Sequence, residues 1–442
     1  MNLNLVRLTA AIHFGAISGL YLMLFSGHAC ADLSSVLAEV EQNAPALAAS
    51  RAQADAEQAA LKAAKGKYWG EVDVFANDNR YNNERLVRPI SFPPNVAAAP
   101  FDDKQYAWGA QLKLPLDING GIHATVENAM RLADAAKYGA EDQRLRLLFK
   151  GAELYRNLQR LIGQKAALDK QVEALNEHLK IADAAVRVGR MASVERLRID
   201  TDLQAVQGQL ADIDGKITSN RAGIAALINQ PAFDEAVAMP AAPPVAESDV
   251  NFTASRPDLL QAKEQEAASN AQVKQLRSKR LPTLGVQAAA QHVEGYDAAG
   301  DDLWSITTRI QVPLWDGGGR RADVAKAEAA RRAAQSSYLA KKLQARTELE
   351  AAIATWKASE KRYRSAVSGV SLATETSRIQ SDRFSNGRIS AADLVDAEAA
   401  LAKARSAESS ALADWWAADD ALRLAAGKAP KAYNKTLEEN QP

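Results

Sequence analysis

The chain carries one plan twice, and that duplication limits what it can fold into more than any other feature. One landmark reads Val188-Gly189-Arg190-Met191-Ala192-Ser193-Val194-Glu195-Arg196-Leu197-Arg198-Ile199. Its counterpart reads Asn386-Gly387-Arg388-Ile389-Ser390-Ala391-Ala392-Asp393-Leu394-Val395-Asp396-Ala397. The glycines stand 387 − 189 = 198 residues apart, and Pro115 and Pro313 keep that offset. Pro45 and Pro257 are 257 − 45 = 212 apart, so the first half holds 212 − 198 = 14 extra residues between Pro45 and Pro115. Such a period is far too long for a solenoid and describes a domain-sized unit used twice. Each Gly-Arg lies between two long helical patterns, with an acidic residue six positions after the glycine. Glycine ends a helix cheaply because it tolerates the left-handed conformation of a C-terminal cap. Each landmark therefore reads as the tip of a helical hairpin.

Each unit opens with a predicted helix, at 33–67 and 255–280. Strands follow at about 70–80 and 104–115 in the first unit, and at about 283–293 and 302–313 in the second. Trp304, Ile306, Thr308, Ile310 and Val312 alternate with Ser305, Thr307, Arg309 and Gln311. Tyr106, Trp108, Ala110, Leu112 and Leu114 alternate with Gln105, Ala107, Gly109, Gln111 and Lys113. Period two over about ten residues gives one apolar and one polar face. A hairpin on a soluble core would also show this. Strands of this length with aromatics near one end also suit an outer-membrane barrel. Four strands cannot close a barrel, since about eight is the practical minimum. Membrane strands would thus need several chains. The stretch 82–103 holds Pro89, Pro93, Pro94 and Pro100 and reads as an exposed irregular connection.

After each Gly-Gly come about 68 residues without proline, 121–188 and 319–386, enough for about 100 Å of helix. Leu168, Val172, Leu175, Leu179, Ala182 and Val186 keep heptad spacing, as do Leu349, Ile353 and Trp356 in the second unit. The return helices, 192–229 and 391–427, are too short to reach the strands again. Helix 255–280 is expected to continue the first of them and helix 33–67 the second. An Ala- and Pro-rich equatorial linker, 231–254, belts the junction, and 429–442 reads as a flexible tail. The two structural repeats are thus 32–230 and 255–428.

Residues 1–31 read as a signal peptide. Arg7 supplies the positive region, 8–25 the apolar core, and Ala29-Cys30-Ala31 a small-residue cleavage site. A retained membrane anchor is the alternative. Cys30 is the only cysteine. Lipidation of Cys30 is the disfavoured fate, because Gly27 stands where a lipoprotein usually has leucine. Formal charge is zero and no basic stripe appears, so no nucleic-acid partner is indicated. The five histidines do not cluster, so neither a metal nor another cofactor is expected. No nucleophile–base pair or phosphate loop suggests an enzyme.

Together these features resemble the TolC-like outer-membrane efflux protein family over essentially the whole mature chain. The resemblance is carried by the duplicated unit, by Asn43-Ala44-Pro45 and Arg256-Pro257-Asp258, and by Pro313-Leu314-Trp315-Asp316-Gly317-Gly318. It is strongest from Gly387 through Asp396 into Ala397-Glu398-Ala399-Ala400-Leu401. It implies a mainly α fold with a β-barrel portion. Three chains would form a twelve-stranded barrel in outer-membrane lipid, continuous with a periplasmic α-barrel. The implied function is a passive conduit meeting a periplasmic adaptor and an inner-membrane pump of RND or ABC type. Type I protein secretion is the near alternative, and a coiled-coil scaffold the alternative from another class. By resemblance, Val188, Gly189, Arg190, Asn386, Gly387 and Arg388 would dock the adaptor. Glu195, Arg198, Asp393 and Asp396 would close the periplasmic gate. Arg388 directly follows its glycine, one place earlier than the family pattern, which leaves open which arginine pairs with which carboxylate.

Overall fold

A computed structural model describes residues 32–90, 92–93, 100–240, 242–244 and 255–431. The expected signal peptide with Cys30, part of the linker and the tail beyond 431 lie outside these residues. In chain order the elements are α1 (Leu33–Asn43), α2 (Pro45–Gly66), β1 (Glu71–Leu86), β2 (Phe101–Leu116), α3 (Gly121–Arg187), α4 (Ser193–Leu227), α5 (Pro257–Ser278), β3 (Thr283–Gly295), β4 (Asp301–Gln311), α6 (Gly319–Ser385) and α7 (Ala391–Ala425). Helices α3 and α6 have 67 residues each, about 100 Å, and set the length of the molecule.

The opening helix expected at 33–67 is two helices. Ala44 is extended, with ψ 116°, because the ring of Pro45 disfavours the helical region for the residue before it. Pro45 then starts α2 at its first position, where no N–H is needed. The strand boundaries differ too. β1 and β2 run to Leu86 and from Phe101, into the stretch expected to be irregular. Backbone pairing there continues through a register shift between Arg80 and Arg85, without the apolar alternation by which a strand is recognised in sequence.

The end-to-end stacking is the reverse of the expectation. α4 is continued by α1 and α2, and α7 by α5. The ends of α4 and α1 share one core, in which Leu37, Val40, Ile224 and Ile228 are fully buried. At the other joint, Arg256 before α5 donates to the carbonyl of Ala425 at the end of α7 (3.0 Å). The linker explains the exchange. Phe233 is buried beside α4, then the carbonyl of Ala238 accepts from Tyr155 and Gln159 on α3, and that of Ala242 accepts from Trp416 on α7. The chain thus crosses over α3 before α5 begins. The columns lie in the order α4/α2, α3, α7/α5, α6. α3 is flanked on both sides and α6 on one.

The strands form one antiparallel sheet in the order β1-β2-β3-β4. One face carries the rows Val72, Leu112, Ala288, Ile306 and Val74, Ala110, Ala290, Trp304. The other carries Asp73, Gln111, Ala289, Ser305 and Glu71, Lys113, Gln287, Thr307. On the polar face Lys113 Nζ and Gln111 Nε2 donate to Asp73 (2.8 and 3.2 Å), and Gln287 donates to Gln111. On the apolar side Val74 is 83% and Trp304 78% exposed, so none of the described residues covers this face. Trp69 and Trp315, also exposed, mark its helix-proximal edge; Trp304 and Trp108, level with Val74 and Ala76, lie about 17 and about 23 Å further along the strands. A bare apolar face flanked by exposed aromatic side chains suits the hydrocarbon layer and interfaces of an outer membrane. Among the described residues no helix is long and apolar enough to cross a membrane.

Candidate functional site

Both tips are built by the same backbone hydrogen bonds. Gly189 N–H donates to Val186 O (3.0 Å) and Arg190 N–H to Ala185 O (2.8 Å). Gly387 N–H donates to Phe384 O (2.8 Å) and Arg388 N–H to Arg383 O (2.9 Å). This paired pattern needs a residue in the left-handed region, and the glycines have φ of 71° and 67°. The tips are therefore stiff turns, with Val188, Arg190, Asn386 and Arg388 exposed around them. The first tip also exposes apolar side chains: Val188 is 69% and Val194 63% exposed.

The returns into the hairpins differ. α7 starts with a capping box. Ser390 Oγ accepts from Asp393 N–H (3.2 Å), and Asp393 Oδ2 accepts from Ser390 N–H (3.2 Å) and from Ser390 Oγ (2.7 Å). These bonds, with the nearby charge of Arg198, hold the Asp393 carboxyl below its usual pKa. α4 has Ala192 at the equivalent position and no side-chain cap. Its acid reaches across instead: Glu195 Oε2 accepts from the backbone N–H of Ala391, the first residue of α7, at 2.7 Å. Arg196 binds Asp183 (3.0 Å) and Asp200 (3.1 Å) within the first hairpin. Arg198 and Asp396 are exposed, and neither makes a hydrogen bond or ion pair among the described residues. Of the four gate candidates, two are thus used as helix caps and two are free.

Behind the tips the hairpins are fused by one apolar cluster that includes Leu175, Ile199, Leu203, Phe384, Ala391 and Leu394. A buried polar group sits beside it. Glu398 Oε1 accepts from Ser377 Oγ (2.8 Å) and lies 3.4 Å from His178 Nε2, while the His178 ring packs edge-on against Phe384. Burial opposes the Glu398 charge, but the bonds from His178 and Ser377 outweigh it and lower the pKa. Higher up, Arg156 binds the buried Asp420 (3.2 Å), and Asp419 accepts from Trp356 and pairs with Arg423. Burial pushes the Asp420 carboxyl up to about 6, partly offset by Arg156.

Sequence reasoning found the tips and their acids but not these partners. The capping box was legible as Ser390-x-x-Asp393. His178 and Glu398 are 220 residues apart, and no local signal joins them. Among the described residues no group of acidic, histidine or cysteine side chains is placed to hold a metal ion.

Comparison with known proteins agrees with this architecture. The outer membrane efflux protein family matches at residues 36–230 and 251–428, one stretch for each repeat. Nodulation protein T of Rhizobium leguminosarum bv. trifolii is 22% identical over 330 residues, 72% of this chain and 71% of that protein. The nickel-cobalt-cadmium resistance protein NccC of Alcaligenes xylosoxydans xylosoxydans is 24% identical over 204 residues, 46% of each chain. The crystal structure of the outer membrane protein VceC from Vibrio cholerae superposes with a TM-score of 0.78 at 20% identity. It covers 90% of this chain and 97% of that one.

Proposed function

Because the chain belongs to the outer membrane efflux protein family, we propose that it is the passive trans-periplasmic conduit of a tripartite efflux system. The family is one of outer-membrane channels, not enzymes. In this reading three chains close their sheets into a twelve-stranded barrel and their helices into an α-barrel. The single observation that carries it is a sheet with one bare apolar face and two free edges, β1 and β4, placed at one end of hairpins about 100 Å long. A bare apolar face suits lipid, and free edges suit further copies. The polar face would then line the lumen.

The tips are the periplasmic mouth in this proposal. Val188, Gly189 and Arg190, with Asn386, Gly387 and Arg388, meet the hairpins of a periplasmic adaptor, which couples the channel to an inner-membrane pump of RND or ABC type. Exposed Val188 and Val194 support an apolar contact there. The gate would be a division of labour. Glu195 and Asp393 fix the hairpin ends, while Asp396 and Arg198 supply the free charge, and three copies of Asp396 around one axis would attract cations. The name of one relative, a nickel-cobalt-cadmium resistance protein, favours metal ions as cargo over protein secretion, and the pump would choose the cargo. The test is deletion in the native host. Intracellular accumulation of an efflux-probe dye should rise and return to normal with the full-length gene. Normal accumulation without the gene, together with loss of a secreted protein, would instead favour type I secretion.

A further inference from the structure

The polar face of the sheet ends, toward the helices, in a recess. On that face the row Pro115, Gly285, Arg309 follows the row Glu71, Lys113, Gln287, Thr307. Gly285 has no side chain. Among the described residues, a Cβ built there would meet only the Leu114 carbonyl oxygen, at 3.7 Å. The missing side chain leaves a dip between Thr283 and Gln287 along β3, and between Pro115 and Arg309 across it. Ile122, in the first turn of α3, and Lys67, just past α2, close the helix end. The recess holds about 620 Å³, ample for a small organic molecule.

Its charge is unbalanced. Lys113 Nζ is held by Asp73 at 2.8 Å. The side chains of Lys67 and Arg309 make no hydrogen bond or ion pair among the described residues, and one carboxylate, Glu71, lines the recess with them. Past Ile122 a second hollow shares Lys67, Pro115 and Ile122. It adds Lys279, whose side chain also has no partner among the described residues. The acid there, Asp117, is committed to the start of α3. It accepts from the N–H groups of Ile122 (2.9 Å) and His123 (2.7 Å).

We propose that this recess binds an amphipathic organic anion, a carboxylate or sulfonate carried on a small apolar body. Cations lining a cleft with low-dielectric walls raise the local concentration of anions. Charge-assisted hydrogen bonds from Lys67 and Arg309 would fix the anionic group, and its apolar body would lie on Pro115 and Ile122. The inference rests on the channel reading above, in which the polar face lines the lumen. One recess from each chain would then ring the bore where the barrel meets the helices. A bare metal cation would be repelled here, so the recess marks a second class of solute, apart from the cations attracted by Asp396 at the other end.

The test uses the purified full-length trimer in planar bilayers of zwitterionic lipid, with naphthalene-2-sulfonate as the probe. The probe should block the unitary current in a concentration-dependent way. Uncharged 2-naphthol and inorganic sulfate should block far less, because one lacks the charge and the other the apolar body. Lys67→Gln with Arg309→Gln should raise the half-blocking concentration by about tenfold. Glu71→Gln should lower it. Gly285→Leu, which keeps every charge but fills the dip, should abolish block. If the double variant fails to assemble, Gly285→Leu and Glu71→Gln decide. Wild-type steps that the probe leaves unblocked, or blocks as strongly in these variants, would overturn the inference and leave the channel reading standing. Equal block by 2-naphthol or by sulfate would overturn it too. Block that disappears in bilayers containing phosphatidylglycerol would assign the recess to a lipid headgroup and overturn the proposal. A wild-type trimer without conductance steps would overturn the channel reading and this inference with it.

Discussion

Glu195 Oε2 accepts a 2.7 Å hydrogen bond from the backbone N–H of Ala391, so the acid of the first hairpin caps the return helix of the second. The first four N–H groups of a helix have no partner within it, and a carboxylate there also meets the positive end of the helix dipole. The bond ties the return of the first hairpin to the return of the second. Glu195→Ala is expected to cost about 1 kcal/mol locally. Amide exchange of Ala391 and its neighbours should speed up by about fivefold, measured by hydrogen–deuterium exchange of the trimer, with Glu195→Gln intermediate. Unchanged exchange would mean that this bond does not hold the tips.

Asp393 and Asp396 should separate in experiments. Asp393 is engaged in the capping box with Ser390, whereas Asp396 is exposed and free. Asp393→Ala with Asp396→Ala is expected to raise single-channel conductance and weaken block by multivalent cations. The loss of block should follow Asp396→Ala alone, and Asp393→Ala alone should mainly loosen the start of α7, by about 1 kcal/mol. Block that persists in the double variant would remove both residues from the gate.

Gly387 has φ of 67°, and among the described residues nothing lies within 4 Å of the place where its side chain would be. The tip thus has room for a larger residue but not the backbone freedom. Gly387→Pro removes the N–H that bonds Phe384 O and forbids the positive φ. Export should be lost while the trimer still assembles, read by dye accumulation and by heat-modifiable migration. Failure of assembly would make the glycine purely structural.

The repeat, the four strands, the long helices and the two tips were legible because each rests on local chemistry: glycine caps, alternating faces and proline-free heptads. The stacking of the short helices was not. Sequence adjacency suggested that α5 continues α4, but Phe233 and the bonds of Ala238 and Ala242 carry the linker across α3 first. The break at Ala44 was legible in principle from Pro45. Of the site, the acids were readable and their partners were not, because Glu195 and Ala391 meet only after two hairpins pack.

Asp420 gives a pH dependence with a definite sign. Its carboxyl is pushed up to about 6 by burial, above the ordinary 3.8, so the folded state favours the protonated form. Its stabilising contribution is present at low pH and is lost as pH rises through about 6. Thermal unfolding compared between the wild type and Asp420→Asn should therefore move in favour of the wild type as pH falls from about 7.5 to about 5. Asp393 and Glu398 have lowered values, so their contribution fails only in more acidic solution, as pH falls through their folded pKa. A pH-independent difference between wild type and Asp420→Asn would refute the assignment.

The central claim is that several copies of this chain close one continuous conduit. Its most direct test is single-channel recording of the purified full-length protein in planar lipid bilayers, with its oligomeric state measured in the same detergent. The account predicts a trimer that inserts without added nucleotide or ligand and gives uniform conductance steps, one per trimer. A chain that stays monomeric in aqueous buffer without detergent, lacks β signal in circular dichroism and gives no steps would contradict it.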